Sequence, residues 1–130
     1  MLLWPLVRRG AGGPWVSTLE ATQLMNREDA LVIDVRDADA YAKGHILGAK
    51  SIPFNSMNDE TAKLKSAEEI RAIFSKAGVQ PGDTIVAYCH VGQQATAVLF
   101  AARTLGHPVL LYDGSFDDWN KRTELPVVKP

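Results

Sequence analysis

The chain has one cysteine, Cys89, and its sequence surroundings are those in which a thiol becomes reactive. The apolar run Thr84-Ile85-Val86-Ala87 precedes it, and a helix-forming run that starts near Ala95 follows it. Cys89 is therefore predicted to lie at a strand-to-helix turn. A thiol is nucleophilic only as the thiolate, and its pKa of about 8.5 falls at a helix N-terminus or near converging backbone N–H groups.

The loop after the cysteine, residues 90–94, supplies such N–H groups in a row, and Gly92 allows it to curl tightly. The loop is suited to an anion, which is the Cys89 thiolate, a persulfide on it, or an oxyanion that arrives as substrate. The alternative is that Cys89 is a small buried residue at the end of a core strand, as most free cysteines are. Its position beside polar residues favours the reactive interpretation.

The composition excludes several classes of function. With 130 residues, 46% of them hydrophobic, the chain is expected to form one domain with a single core. A net charge of -1 without blocks of like charge argues against a nucleic-acid partner. One cysteine, no CxxC and three scattered histidines argue against disulfides and against a metal site. A lone thiol persists most easily in a reducing compartment, so a cytoplasmic location is expected.

Residues 1–14 are predicted to lie outside the domain, as a flexible tail or as the remnant of an N-terminal anchor. The apolar residues 1–7 are too few to span a bilayer, which needs about 20 residues. A longer anchor upstream would tether the domain to a membrane, with Arg8 and Arg9 on the cytoplasmic side. Without such an anchor no membrane contact is expected.

Residues 15–130 alternate predicted strands and helices. The predicted strands cover residues 31–33, 84–88 and 109–112, with a brief extended segment over 49–54. The predicted helices cover 18–26, 66–77, 95–105 and 115–119, with one helical turn near 39–43. Residues 125–130 are expected to form a tail. Strands that alternate with helices in this way predict an α/β fold, a central parallel sheet with helices on both faces.

In parallel sheets of this kind, the functional site lies at the carboxyl ends of the strands. Arg36, Cys89 and Asp113 all fall there. Arg36 is a candidate for lining the pocket, and the alternative is a structural ion pair within the Asp34-Val35-Arg36 segment. His45 is expected to be structural, His107 to be solvent-exposed, and Phe116 and Trp119 to be core anchors.

Two classes of enzyme use a cysteine in an anion-binding loop on such a fold. A cysteine phosphatase or arsenate reductase of the C-x5-R pattern needs an arginine at the sixth residue after the nucleophile, to clamp the oxyanion. This position is Ala95, which disfavours phosphate chemistry. The other class transfers sulfur.

For sulfur transfer the sequence resembles a known family, the rhodanese domains, over residues 15–129. The resemblance is to single-domain members or to the catalytic domain of tandem thiosulfate sulfurtransferases. The matching segments are Leu31-Val32-Ile33-Asp34-Val35-Arg36, Tyr41 with Gly44-His45-Ile46-Leu47-Gly48-Ala49, Ile52-Pro53, Tyr88-Cys89-His90-Val91-Gly92-Gln93-Gln94-Ala95, and Tyr112-Asp113-Gly114-Ser115-Phe116-Asp117-Asp118-Trp119. The resemblance implies a single rhodanese-like domain at residues 15–130. It implies a thiosulfate sulfurtransferase, in which Cys89 takes the outer sulfur of a donor as a persulfide and passes it to cyanide or a thiol.

The resemblance also implies partners and site residues. The partners are a small sulfur donor, a cyanide or thiol acceptor, and in some cases an acceptor protein, and no metal or organic cofactor is implied. The expected substrate-binding residues are Arg36, His90, Val91, Gly92, Gln93, Gln94 and Ala95.

This loop departs from the family in charge, because many thiosulfate-using members carry Arg or Lys within it, whereas here only His90 can be cationic. A modest affinity for thiosulfate is therefore predicted. Mercaptopyruvate is a less favoured donor, since the small Ser-Gly loop of its users is missing. The non-enzyme alternative is a rhodanese-fold sulfur carrier or interaction module.

Overall fold

A five-stranded parallel sheet forms the centre of the domain, in a computed structural model that describes residues 15–61, 63–89, 95–112 and 115–129. Every pairing within this sheet is parallel. From one edge to the other its strands are β1 (Trp15–Val16), β6 (Val109–Tyr112), β5 (Thr84–Tyr88), β2 (Ala30–Asp34) and β4 (Lys50–Ser51). A second sheet pairs β3 (His45–Ile46) with β7 (Val127–Val128) in antiparallel orientation.

Five α-helices and one 3₁₀ helix, Phe54–Met57, accompany the sheets in the described part of the chain. The α-helices are α1 (Thr18–Leu24), α2 (Ala38–Lys43), α3 (Ala67–Lys76), α4 (Ala95–Thr104) and α5 (Ser115–Lys121). The longest of them have ten residues, and none of the helices described here combines the length and apolar character that crossing a bilayer requires.

The alternation of side chains along β5 builds a core on each face of the sheet. Ile85, Ala87 and Cys89 belong to one buried cluster, which includes residues of α3 and α4. Val86 and Tyr88 belong to the other cluster, which includes residues of α1, α5 and β3. The predicted α/β architecture, a parallel sheet with helices on both faces, is thus confirmed.

The element starts and stops follow local chemistry. Both predicted capping boxes are present, with Ser17 and Glu20 bonding reciprocally at α1, and Ser66 and Glu69 at α3. A glycine with positive φ follows α4, namely Gly106 at 91°. The strands at 84–88 and 109–112 have the predicted bounds, whereas the first helix ends at Leu24 instead of Asn26.

Two predictions at the periphery are wrong. Residues 125–130 are not simply a tail, because Val127–Val128 form β7 and pair with β3, and the Trp119 indole N–H donates to Pro126 O at 3.1 Å. The extended segment at 49–54 is also shorter than predicted. Only Lys50–Ser51 pair as a strand, and the chain then turns into the 3₁₀ helix.

Candidate active site

Cys89 follows β5 directly, at the carboxyl end of the central parallel strand, as predicted. Its backbone is held on both sides. The Tyr88 carbonyl accepts a hydrogen bond from Val35 N–H at 2.9 Å, and the Cys89 carbonyl accepts one from Phe116 N–H at 2.9 Å. The Cys89 side chain has no exposed surface and packs within the core cluster on the α3 and α4 face.

The predicted loop residues cannot be placed beside it. His90, Val91, Gly92, Gln93 and Gln94 lie outside the described residues, and so does Asp113. Ala95 begins α4, so the helix that was predicted to follow the cysteine loop is present. The substrate-binding roles of residues 90–95 stay predictions.

Arg36 lies at the carboxyl end of β2 and makes a buried ion pair with Asp34. Arg36 Nη2 lies 2.6 Å from Asp34 Oδ2, and its Nε lies 3.0 Å from Oδ1. The side chains are 3% and 0% exposed. Nη2 also donates to the Gly44 carbonyl at 2.6 Å. The structural ion pair is therefore present at Arg36, and a role in substrate binding stays a prediction.

Aromatic side chains surround this ion pair. The Tyr88 hydroxyl donates to Asp34 Oδ2 at 2.6 Å and accepts from Ile46 N–H at 3.1 Å. The Phe116 ring centroid lies 3.9 Å from Arg36 Cζ, which is cation–π distance. We name Asp34, Arg36, Tyr88 and Phe116 the brace.

The electrostatics of the brace keep its charges fixed. Burial by itself would lower the pKa of Arg36, but the hydrogen bonds and negative charge of Asp34 outweigh it, so that pKa lies above its ordinary value. Burial, and then the Asp34 carboxylate, raise the pKa of the Tyr88 hydroxyl well above its usual range. Arg36 therefore stays cationic and Tyr88 stays neutral at any physiological pH.

The sequence indicates the ion pair of the brace but not the aromatic residues around it. The spacing of Asp34 and Arg36 pointed to an ion pair, but no periodicity indicates that Tyr88 and Phe116 close around it. Phe116 packs against the core cluster of α1, α5 and β3, as expected of a core anchor, and its ring also lies 3.9 Å from Arg36 Cζ.

The other singled-out residues have structural surroundings. His45 is structural as predicted, because its ring stacks on Tyr41 at 3.7 Å and its Nδ1 bonds Tyr41 O at 2.8 Å. Trp119 is fully buried, as predicted for a core anchor. The predicted exposure of His107 is wrong, because it is half-buried with Nδ1 2.9 Å from Asp83 O.

The described part of the site places Cys89 after β5, next to the end of β2, where the buried Asp34–Arg36 pair lies. Arg36 is the cation nearest in sequence to the end of β2, and its guanidinium is already engaged by Asp34, Gly44 and Phe116. Among the residues that the structure describes, no group of three or more His, Cys, Asp or Glu side chains is arranged to hold a metal ion.

Comparison with known proteins gives consistent results. The family model described as "Rhodanese-like domain" matches residues 17–122. The chain is 41% identical over 110 residues to the 3-mercaptopyruvate sulfurtransferase of Escherichia coli strain K12, an alignment that covers 75% of this chain and 39% of that relative. It is 35% identical over 98 residues to the sulfur carrier protein TtuD of Thermus thermophilus, covering 74% of this chain and 34% of that relative.

A solved structure agrees with these relatives. A variant of EanB, with ergothioneine covalently linked to a persulfide cysteine, has a TM-score of 0.77 at 25% identity, covering 87% of this chain and 31% of that chain. The chain spans between 34% and 39% of the length of the two curated relatives described above.

Proposed function

Because the chain belongs to the rhodanese-like domain family, we propose that it is a sulfurtransferase whose nucleophile is Cys89. The observation that carries the proposal is the position of Cys89. The one cysteine of the chain stands at the carboxyl end of the central parallel strand and within the matched family range. Relatives named as a sulfurtransferase and as a sulfur carrier support sulfur as the group that is moved.

The reaction we propose has two displacements. The Cys89 thiolate attacks the outer sulfur of thiosulfate, a sulfur–sulfur bond forms, and sulfite leaves with the electron pair of the broken bond. Cyanide or a thiolate then attacks the outer sulfur of the persulfide. The sulfur leaves as part of thiocyanate or of a new persulfide on the acceptor, and the Cys89 thiolate is restored. The persulfide cysteine of the EanB structure supports a covalent intermediate of this kind.

The protein would contribute position and electrostatics. The brace holds the end of β5, and the backbone N–H groups of residues 90–95 are proposed to stabilise the negative sulfur, as in an oxyanion hole. Arg36 already neutralises Asp34, so it has little free charge to offer a dianionic donor. This supports a modest affinity for thiosulfate. The proposed donor is a small sulfur compound, and the proposed acceptor is cyanide, a small thiol or a protein.

A second candidate function is a sulfur carrier that does not turn over thiosulfate. One observation favours it: the 35% identity to a protein named as a sulfur carrier. We place either function in the cytoplasm, where the thiol would stay reduced.

The test is the steady-state formation of thiocyanate from thiosulfate and cyanide, with Cys89→Ser as the matched control. The enzyme proposal expects turnover with parallel double-reciprocal plots, which indicate a covalent intermediate, and loss of turnover in Cys89→Ser. Turnover that survives in Cys89→Ser would overturn the proposal. A sulfur-loaded protein without turnover would favour the carrier.

A further inference from the structure

Phe116 makes two contacts that converge on Cys89 and its support. Its backbone N–H donates to the Cys89 carbonyl at 2.9 Å, and its ring stacks 3.9 Å from Arg36 Cζ. The N–H belongs to the first turn of α5, where backbone N–H groups have no partner within the helix. The Cys89 carbonyl therefore supplies the partner that α5 lacks at this residue.

The ring of Phe116 stacks on a guanidinium that several hydrogen bonds hold in place. The Arg36 guanidinium is fixed by two oxygens of Asp34 and by the Gly44 carbonyl, each contact being 3.1 Å or shorter. The ring is also 6.2 Å from that of Tyr88, the residue before the cysteine. Because the guanidinium is held by these hydrogen bonds, stacking on it constrains the position of the Phe116 backbone and of its N–H.

We propose that Phe116 is a positioning residue for Cys89, acting through its ring on Arg36 and through its N–H on the Cys89 carbonyl. The chemistry it serves rests on the proposed function. The backbone at Cys89 is held from the β2 side by Val35 N–H and from the α5 side by Phe116 N–H. Without the ring on Arg36, the Phe116 N–H is no longer held against the Cys89 carbonyl. The thiol can then shift relative to the end of β5, and small displacements of a nucleophile cost rate.

The test compares substitutions that differ in the face they present to Arg36. Phe116→Leu keeps an apolar side chain but has no aromatic face, whereas Phe116→Tyr keeps the face. Phe100→Leu is the matched control. It makes the same chemical change at a residue of α4 that is 60% exposed. Each variant is measured for kcat and KM in the thiocyanate assay, and for the pH dependence of Cys89 alkylation by iodoacetamide.

The proposal expects Phe116→Leu to lower kcat by about tenfold with little change in KM, and to change the pH profile of alkylation. Phe116→Tyr and Phe100→Leu are expected to behave like the wild type. If Phe116→Leu lowers only the Tm, and kcat and the alkylation profile stay unchanged, Phe116 is merely structural and the proposal is overturned. If Phe116→Leu does not fold, Phe116→Met decides by the same two readouts.

Alkylation needs no sulfur donor, so the positioning role can be judged apart from the proposed function. If the wild type forms no thiocyanate but Phe116→Leu still changes the alkylation profile, sulfur transfer fails and the positioning role stands. If the wild type is active and Phe116→Leu matches Phe100→Leu in both readouts, the positioning role fails and sulfur transfer stands.

Discussion

Replacing Asp34 by Asn removes the negative half of the buried ion pair in the brace. Asp34 is 0% exposed, and its two oxygens accept from the Arg36 side chain, from Arg36 N–H and from the Tyr88 hydroxyl. Asn keeps the size and one acceptor oxygen, so part of the hydrogen bonding survives. The guanidinium, at 3% exposure, is left without a counter-charge. Breaking a buried pair by removing one partner costs about 3–5 kcal/mol.

This cost is large enough to measure without ambiguity. At about 4 °C per kcal/mol for a domain of this size, Tm falls by roughly 12–20 °C. In urea, the midpoint falls and the slope m stays unchanged, because the surface exposed on unfolding is the same. Replacing both partners with apolar residues, Asp34→Leu with Arg36→Met, is expected to cost less than Asp34→Asn alone, since no buried charge remains.

The chain contains a matched control for this prediction. Asp29 pairs with Arg27 at 2.6 Å, also two residues apart, but the side chains are 53% and 30% exposed. Because solvent screens this exposed pair, Asp29→Asn should lower the Tm far less than Asp34→Asn does. If Asp34→Asn costs no more than Asp29→Asn, the guanidinium of Arg36 is not dependent on Asp34 and the description of the brace is refuted.

Three further predictions follow from buried polar groups. Tyr88→Phe removes the partner of Ile46 N–H and one partner of Asp34, and should cost about 1–3 kcal/mol in urea unfolding; a cost near zero would mean that the hydroxyl is not needed. Burial, with the nearby Asp118 carboxylate, raises the pKa of Tyr112 to about 12. The neutral hydroxyl therefore contributes fully to the free energy of unfolding below about pH 10, and this contribution is lost as the pH rises from there toward 12. Urea midpoints measured across that range should fall, and fall less in Tyr112→Phe. Deleting residues 126–130 removes β7 and the acceptor of the Trp119 indole N–H. The free energy of unfolding in urea should fall by about 1–3 kcal/mol, whereas the loss of an unpaired tail would leave it unchanged.

Most of the central sheet could be predicted from the sequence, because its strands are apolar runs with clear punctuation. Thr84–Tyr88 is buried at every position and Val109–Tyr112 at three of four, which is the pattern of strands covered on both faces. The two-residue strands β1 and β7 could not be predicted. Two residues carry no periodicity, and their strand character comes only from partners distant in sequence, β6 and β3.

In the site, too, contacts between sequence neighbours could be predicted and contacts between distant residues could not. Cys89 and the Asp34–Arg36 pair are recognisable because each is set by neighbours in sequence. The contacts of Tyr88 and Phe116 with this pair depend on how α5 packs against the end of β5, and on residues 54 and 80 positions apart. No local pattern encodes such contacts, so an ion pair could be proposed while the aromatic groups around it could not.

The most direct test of sulfur transfer is the intact mass of the protein after incubation with thiosulfate and removal of excess donor. We predict a gain of one sulfur atom, located on Cys89 by peptide mapping, absent in Cys89→Ser, and lost on addition of cyanide with one equivalent of thiocyanate released. A wild-type protein that gains no sulfur from thiosulfate or from any other small sulfur donor, or that gains it equally in Cys89→Ser, would contradict the persulfide at Cys89 and with it the proposed function.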